Sequence, residues 1–132
     1  MERDEMNEFR PNGSASGGAI SALCNSLESP LPDEYLAFLR RTNGGEGFVG
    51  EAYAMLWRCE DLIEYNQNYQ VEELAPGFFL IGSNGGGEAY AFNLSSGSPV
   101  LYELPFIGME SQYANTAADS FGLFLSGLTT PK

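Results

Sequence analysis

The chain has 132 residues, of which 43% are hydrophobic and 18% charged, enough apolar material for one ordinary core and too little charge for a disordered polymer. Six basic residues stand against eighteen acidic ones, a formal net charge of −12, and no Lys or Arg occurs from Cys59 to Pro131. Affinity for phosphate comes mainly from Lys and Arg releasing counterions, so nucleic-acid binding and attachment to anionic membranes are disfavoured, whereas a basic protein partner is favoured.

The polar stretch MERDEMNEFRPNGSASGG has acids where a signal peptide would be basic and lacks an apolar h-region, so residues 1–18 are expected to form a flexible arm of a cytoplasmic protein, with the domain spanning 19–132. Ile20, Leu23, Cys24 and Leu27 recur at helical spacing and predict a short first helix. The segment SPLPDEYLAFLRRTNGG carries full helix punctuation. Pro32 suits the first helical position, Asp33 and Glu34 the positive end of the dipole, Arg40 and Arg41 the negative end, and Asn43-Gly44-Gly45 the stop. Its buried face is expected to be Tyr35, Leu36, Phe38 and Leu39, with Leu31 folded over the start.

Residues 47–50 and 52–57 read as short extended segments, and Glu60 to about Asn66 as a third helix with Glu60, Asp61 and Glu64 facing solvent. Phe78 to Ser83 and Glu88 to Asn93 predict a hairpin across Asn84, Gly85, Gly86 and Gly87. Val100 to Leu104 adds a strand, Phe106-Ile107 a further extended piece, and Thr116 or Asp119 is expected to cap a closing helix with Phe121, Phe124, Leu125 and Leu128 on one face. Strands in consecutive runs joined by short turns predict an α+β domain with a mainly antiparallel or mixed sheet.

The pieces LPDEYLAFLRRTNGGEGFVG, LW, GSNGGGEAYAFN, PVLYELPFIGM and ADSFGLFL occur in this order and together resemble the SUKH (Smi/Knr-like) superfamily. The resemblance runs from about residue 20 to 128 and rests on Leu31, Pro32, Tyr35, Asn43, Gly44, Gly45, Gly82, Ser83, Gly85, Gly86 and Gly87. It implies helices packed around a strongly twisted sheet and a role in protein binding without an active site. Many bacterial relatives resemble immunity proteins that neutralise a cognate polymorphic or contact-dependent toxin by direct binding, while eukaryotic relatives are similar to regulatory scaffolds. The family often shows Asp where this chain has Asn84 and Asn93, which removes two charges near the hairpin while keeping the turn geometry.

Three constellations invite chemistry. GSNGGGE has the glycines of a phosphate loop but no Lys and leads into a strand, so the expected role of its glycines is a tight hairpin. Glu46, Glu51 and Glu88 are candidates for a carboxylate cluster in a metal-dependent hydrolase, the weakest reading in a chain without His. Glu88 is expected instead to bond near its loop or to face solvent. Cys24 and Cys59 lack metal-ligand spacing, and neither metal nor cofactor is expected.

Trp57, with Tyr53, Tyr65 and Tyr69, is either core or an interface anchor. Partner contacts are expected at Trp57, Glu60, Asp61, Glu64, Glu72, Glu73, Asn84 and Glu88. The leading expectation is a non-enzymatic immunity protein for a toxin, for example a nuclease whose basic channel takes an acidic mimic; the alternative is a regulatory scaffold module.

Overall fold

The computed structural model describes residues 10–49 and 52–126. The expectations for residues 1–9, Glu51 and Leu128 lie outside that range. Among the described residues the chain forms one seven-stranded sheet in sequential order, with every neighbouring pair antiparallel. The α+β class with a twisted antiparallel sheet is therefore what the chain adopts.

Within residues 10–18, which the sequence places in a flexible arm, the chain makes contacts with the domain. Strand β1 (Arg10–Pro11) pairs with β2 (Gly45–Val49), and the Ala15 amide donates to the Leu39 carbonyl. Helix α1 (Gly17–Asn25) follows, capped by the Ser16 hydroxyl, which accepts from the Ala19 amide. Ile20 and Leu23 are its buried residues, whereas Cys24 is exposed. Helix α2 (Asp33–Arg41) keeps the expected charge order along its dipole, Asp33 and Glu34 first, Arg40 and Arg41 last. Pro32 sits one position earlier than expected, at the cap, where its carbonyl accepts from the Tyr35 and Leu36 amides. Leu31, Tyr35, Phe38 and Leu39 are buried as read, and Leu36 only partly so.

Strand β3 (Ala52–Leu56) pairs with β2 along its whole length but with β4 (Phe78–Ser83) only at Met55 and Leu56. The chain then leaves the sheet through a 3-10 turn (Cys59–Asp61) into α3 (Leu62–Asn68). This helix stands where a longer β3 would have run, leaving the β4 backbone beside it in need of partners. Asn66 supplies them. Its Oδ1 accepts from the Leu80 amide at 2.8 Å and its Nδ2 donates to the Leu80 carbonyl at 3.0 Å, so one side-chain amide replaces a strand peptide. A register shift between Leu80 and Gly82 falls at the same place.

A short helix α4 (Val71–Leu74) follows, entered through Gln70 in the left-handed conformation. The sheet is completed by β5 (Glu88–Asn93), β6 (Leu101–Pro105) and β7 (Asn115–Ala118), and α5 (Phe121–Leu125) closes the described chain. Strand β7 was not expected. The cap of α5 is Ser120, whose hydroxyl accepts from the Leu123 amide, rather than Thr116 or Asp119. Phe106 and Ile107 are not extended: Gly108, at φ 71°, turns the chain and leaves Ile107 93% exposed.

Alternation along the strands divides the core between the two faces of the sheet. On one face Phe79, Ile81, Tyr90, Phe92 and Leu101 pack against α1, α2 and α5 through Ile20, Leu23, Tyr35, Phe38, Phe121 and Phe124. The Tyr35, Phe38, Phe92 and Phe121 rings sit 5.1 to 6.4 Å apart there. On the other face a smaller cluster of Val71, Ala75, Leu80, Ala89, Ala91, Leu104 and Met109 is covered by α4 and by the segment after β6.

Candidate functional site

The second face is covered over β4 to β6 and left partly open over β2 and β3. Alternation sends Ala54 and Leu56 into the larger core and Tyr53, Met55 and Trp57 to the opposite side, where all three are half-buried. The Phe48 ring packs on Tyr53 with centroids 5.1 Å apart.

At the far end of this row the aromatic side chains gather. Trp57 meets Tyr65 edge-on at 4.9 Å and lies nearly parallel to Tyr69, with planes 11° apart and centroids at 6.3 Å. Phe106 stands 4.8 Å from Tyr69 and 6.5 Å from Trp57. Tyr69 is 42% exposed, and Trp57 packs against both apolar clusters while keeping part of its ring accessible. Core and interface anchor are therefore not exclusive for Trp57. Partly wet aromatic side chains of this kind dominate protein interfaces, since they bury large area at little rotamer cost.

The polar residues expected to meet a partner separate into two groups. Glu64 on α3 and Glu72 and Glu73 on α4 are exposed on the helices that bracket Tyr69. Glu60, Asp61, Asn84 and Glu88 have internal partners. Glu60 accepts from Asn43 Nδ2 at 2.8 Å, and that bond above all holds its carboxyl below the usual carboxylate range. Asp61 accepts from Arg58 Nε at 3.2 Å, and this hydrogen bond leads the upward shift of the guanidinium.

Asn43 is the buried hub of the NGG stop. Its Oδ1 accepts from the Cys59 amide at 2.6 Å, its own amide donates to the Gly13 carbonyl, and its carbonyl accepts from Asn12 Nδ2. The side chain thus ties the end of α2 to the turn that starts α3. Gly44 beside it has φ 79°, and a Cβ there would collide with the Leu56 carbonyl oxygen and stand 2.7 Å from that of Trp57. Gly45 opens β2 opposite Leu56.

In the glycine hairpin, Asn84 Oδ1 accepts from the Gly86 and Glu88 amides, and its Nδ2 donates to Glu88 Oε1 at 2.9 Å. Ser83 Oγ accepts from the Gly85 amide. Gly85 and Gly87 take positive φ, and a Cβ on Gly85 would stand 3.1 Å from the Tyr53 ring. Gly82 lets β4 approach β3, since a Cβ would collide with the Met55 carbonyl oxygen. The Gly87 carbonyl accepts from the Phe106 amide, which links the hairpin to the aromatic wall. Asn93 closes the following turn in the same way, with its Oδ1 accepting from Ser95 Oγ and the Ser96 amide.

Glu46 accepts from the Tyr53 hydroxyl, which raises the phenol pKa. Among the described residues no group of three or more His, Cys, Asp or Glu could hold a metal ion, and no helix is long and apolar enough to cross a membrane. Burial pushes the Cys59 thiol up to about 11, with Glu60 adding to it, and its sulfur donates to the Ala19 carbonyl at 3.4 Å. Sequence reasoning missed Phe106 as part of the aromatic wall and Ile107 as a surface residue; the one signal was the Pro105 and Gly108 that bracket them.

Compared with known proteins, the chain matches the family model described as SMI1 / KNR4 family (SUKH-1) over residues 14–127. A search of curated proteins found no match. The family match begins at Ser14, just before the Ser16 cap of α1.

Proposed function

The chain belongs to the SMI1 / KNR4 family (SUKH-1), and on that premise we propose that it is an immunity-type binding protein that neutralises a cognate toxin by direct contact. Family membership is consistent with protein binding. The observation that carries it is the partly exposed wall of Trp57, Tyr69 and Phe106 beside the acidic helices α3 and α4; Arg58, next to Trp57, is bonded to Asp61, and no Lys or Arg follows from Cys59 to Pro131. Such a wall supplies hot-spot area, and the field around it attracts a basic surface and repels an acidic one. A nuclease fits this description, because a basic substrate channel accepts an acidic protein in place of nucleic acid. The reading needs no catalytic step by this chain and has it act in the cytoplasm.

The test is capture of partners by the tagged chain from its own cells, followed by calorimetric titration of the main partner at low and high salt. A basic toxin domain whose affinity falls as salt rises is the expected result. Capture of a non-toxin cellular protein would replace this reading with that of a regulatory scaffold module.

A further inference from the structure

Resting on that binding face, we infer that its occupant presents arginine rather than lysine: a partner segment whose guanidinium lies flat on the exposed Tyr69 ring, beside Trp57, while its other donors reach carboxylates of α3 and α4. The first ground is shape. The Tyr69 ring is 42% exposed and backed by Trp57, whose plane is within 11° of its own, while Phe106, 4.8 Å away and tilted by 40°, walls one side. A planar, weakly hydrated guanidinium stacks on such a surface with little loss of solvation, whereas an ammonium is compact and strongly hydrated.

The second ground is charge placement. Arg40 and Arg41 lie on α2, which packs on the opposite face of the sheet. Next to the wall stands Arg58, already bonded to Asp61. Glu64, Glu72 and Glu73 are exposed on the two helices that bracket Tyr69. Carboxylates beside flat aromatic rings match the two demands of a guanidinium, bidentate pairing and stacking, and a lysine ammonium, a compact point charge, meets neither as well.

Trp57 is the single tryptophan of the chain, so its fluorescence reports on the wall directly. The experiment titrates the full chain with an arginine–glycine repeat peptide and with a lysine–glycine twin of equal charge. The arginine peptide is expected to change Trp57 emission saturably and to bind about five- to ten-fold tighter than its twin. Tyr69→Leu, at a half-exposed position, should keep the native circular dichroism and remove the preference, while Glu72→Gln combined with Glu73→Gln should weaken both peptides. Equal affinities for the two peptides, or emission that ignores both, would overturn the inference. A salt-dependent toxin captured without arginine preference would overturn this inference and leave the proposed function standing. Arginine preference in a chain that captures no toxin would do the reverse.

Discussion

Replacing Asn43 by Ala removes one side chain and leaves two groups to find new partners. The Cys59 amide, now bonded to Asn43 Oδ1 at 2.6 Å, becomes a buried donor without an acceptor, a loss of about 1–3 kcal/mol. Glu60 also loses its bond from Nδ2, but it is exposed and rehydrates, so this adds less than about 1 kcal/mol. The expected total is about 1–4 kcal/mol, read as a lower urea midpoint with unchanged slope and a fall of ~3–15 °C in Tm. Asn43→Asp separates the two contributions, because it keeps an acceptor for Cys59 but sets a carboxylate against Glu60. The sign follows from Glu60, whose folded pKa is depressed by Asn43. Its stabilisation is present above the unfolded value of about 4.3 and is lost as pH falls through the folded value. Asn43→Asp, which puts a carboxylate at a buried position facing Glu60, should therefore be destabilised at neutral pH and approach the native protein below about pH 4, where the carboxyls protonate. A loss of less than about 0.5 kcal/mol for Asn43→Ala, the range of ordinary surface changes, would refute the hub argument.

Gly44→Ala places a Cβ against two carbonyl oxygens at φ 79°, so the variant is expected to lose more than about 4 kcal/mol and to show no cooperative thermal transition. Asn66→Ala leaves the Leu80 amide and carbonyl without their side-chain partner and should lower stability by about 2 kcal/mol in urea; an unchanged midpoint would mean that β4 needs no such closure. The Tyr35 hydroxyl is buried and has no hydrogen-bond partner among the described residues, so Tyr35→Phe should be neutral or stabilising by up to about 1 kcal/mol, and a clear loss would show an unrecognised partner. Glu103 has its carboxyl raised first by burial and then by Glu88, so its ionisation opposes folding as pH rises through the folded pKa. Glu103→Gln should accordingly raise Tm at neutral pH and not below about pH 4, and equal shifts at both would refute the assignment.

Helix α2 was legible because each of its signals is local: the dipole charges, the apolar spacing and the stop all lie within SPLPDEYLAFLRRTNGG. Asn43 was legible only as a stop. Its bonds to Cys59 and Glu60 join residues 16 and 17 positions away, which no local pattern announces. Strand β7, Asn-Thr-Ala-Ala, has little intrinsic strand preference and is made by pairing with β6, a tertiary effect that outweighs local preference. Strand β1 was hidden for the opposite reason. Pro11 reads as a breaker, yet an edge strand leaves its missing N–H without consequence. The candidate site was half visible: Trp57, Tyr65 and Tyr69 group by proximity in sequence, whereas Phe106 reaches them only because β6 returns the chain beside the glycine hairpin.

The residues that carry the family resemblance and those that form the wall do different work. Asn43, Gly44, Gly82 and Gly85, together with Asn84, close backbone turns and close approaches, and at the three glycines even a single added Cβ meets a neighbour at 3.1 Å or less. These positions specify that β2 to β5 meet in this register, whatever the partner. Tyr69, Glu72 and Glu73 close nothing comparable with their side chains, and their exposure means that their identity is little constrained by folding, whereas Phe106 is half-buried against the second core cluster. One turn connects the two sets, where the Gly87 carbonyl receives the Phe106 amide and so fixes the ring's place beside Tyr69. A rigid glycine frame with replaceable side chains on the helices beside its aromatic wall is what a binding protein needs to change partners without changing fold. The family match therefore identifies the frame, and the partner has to be sought in the chemistry of the wall.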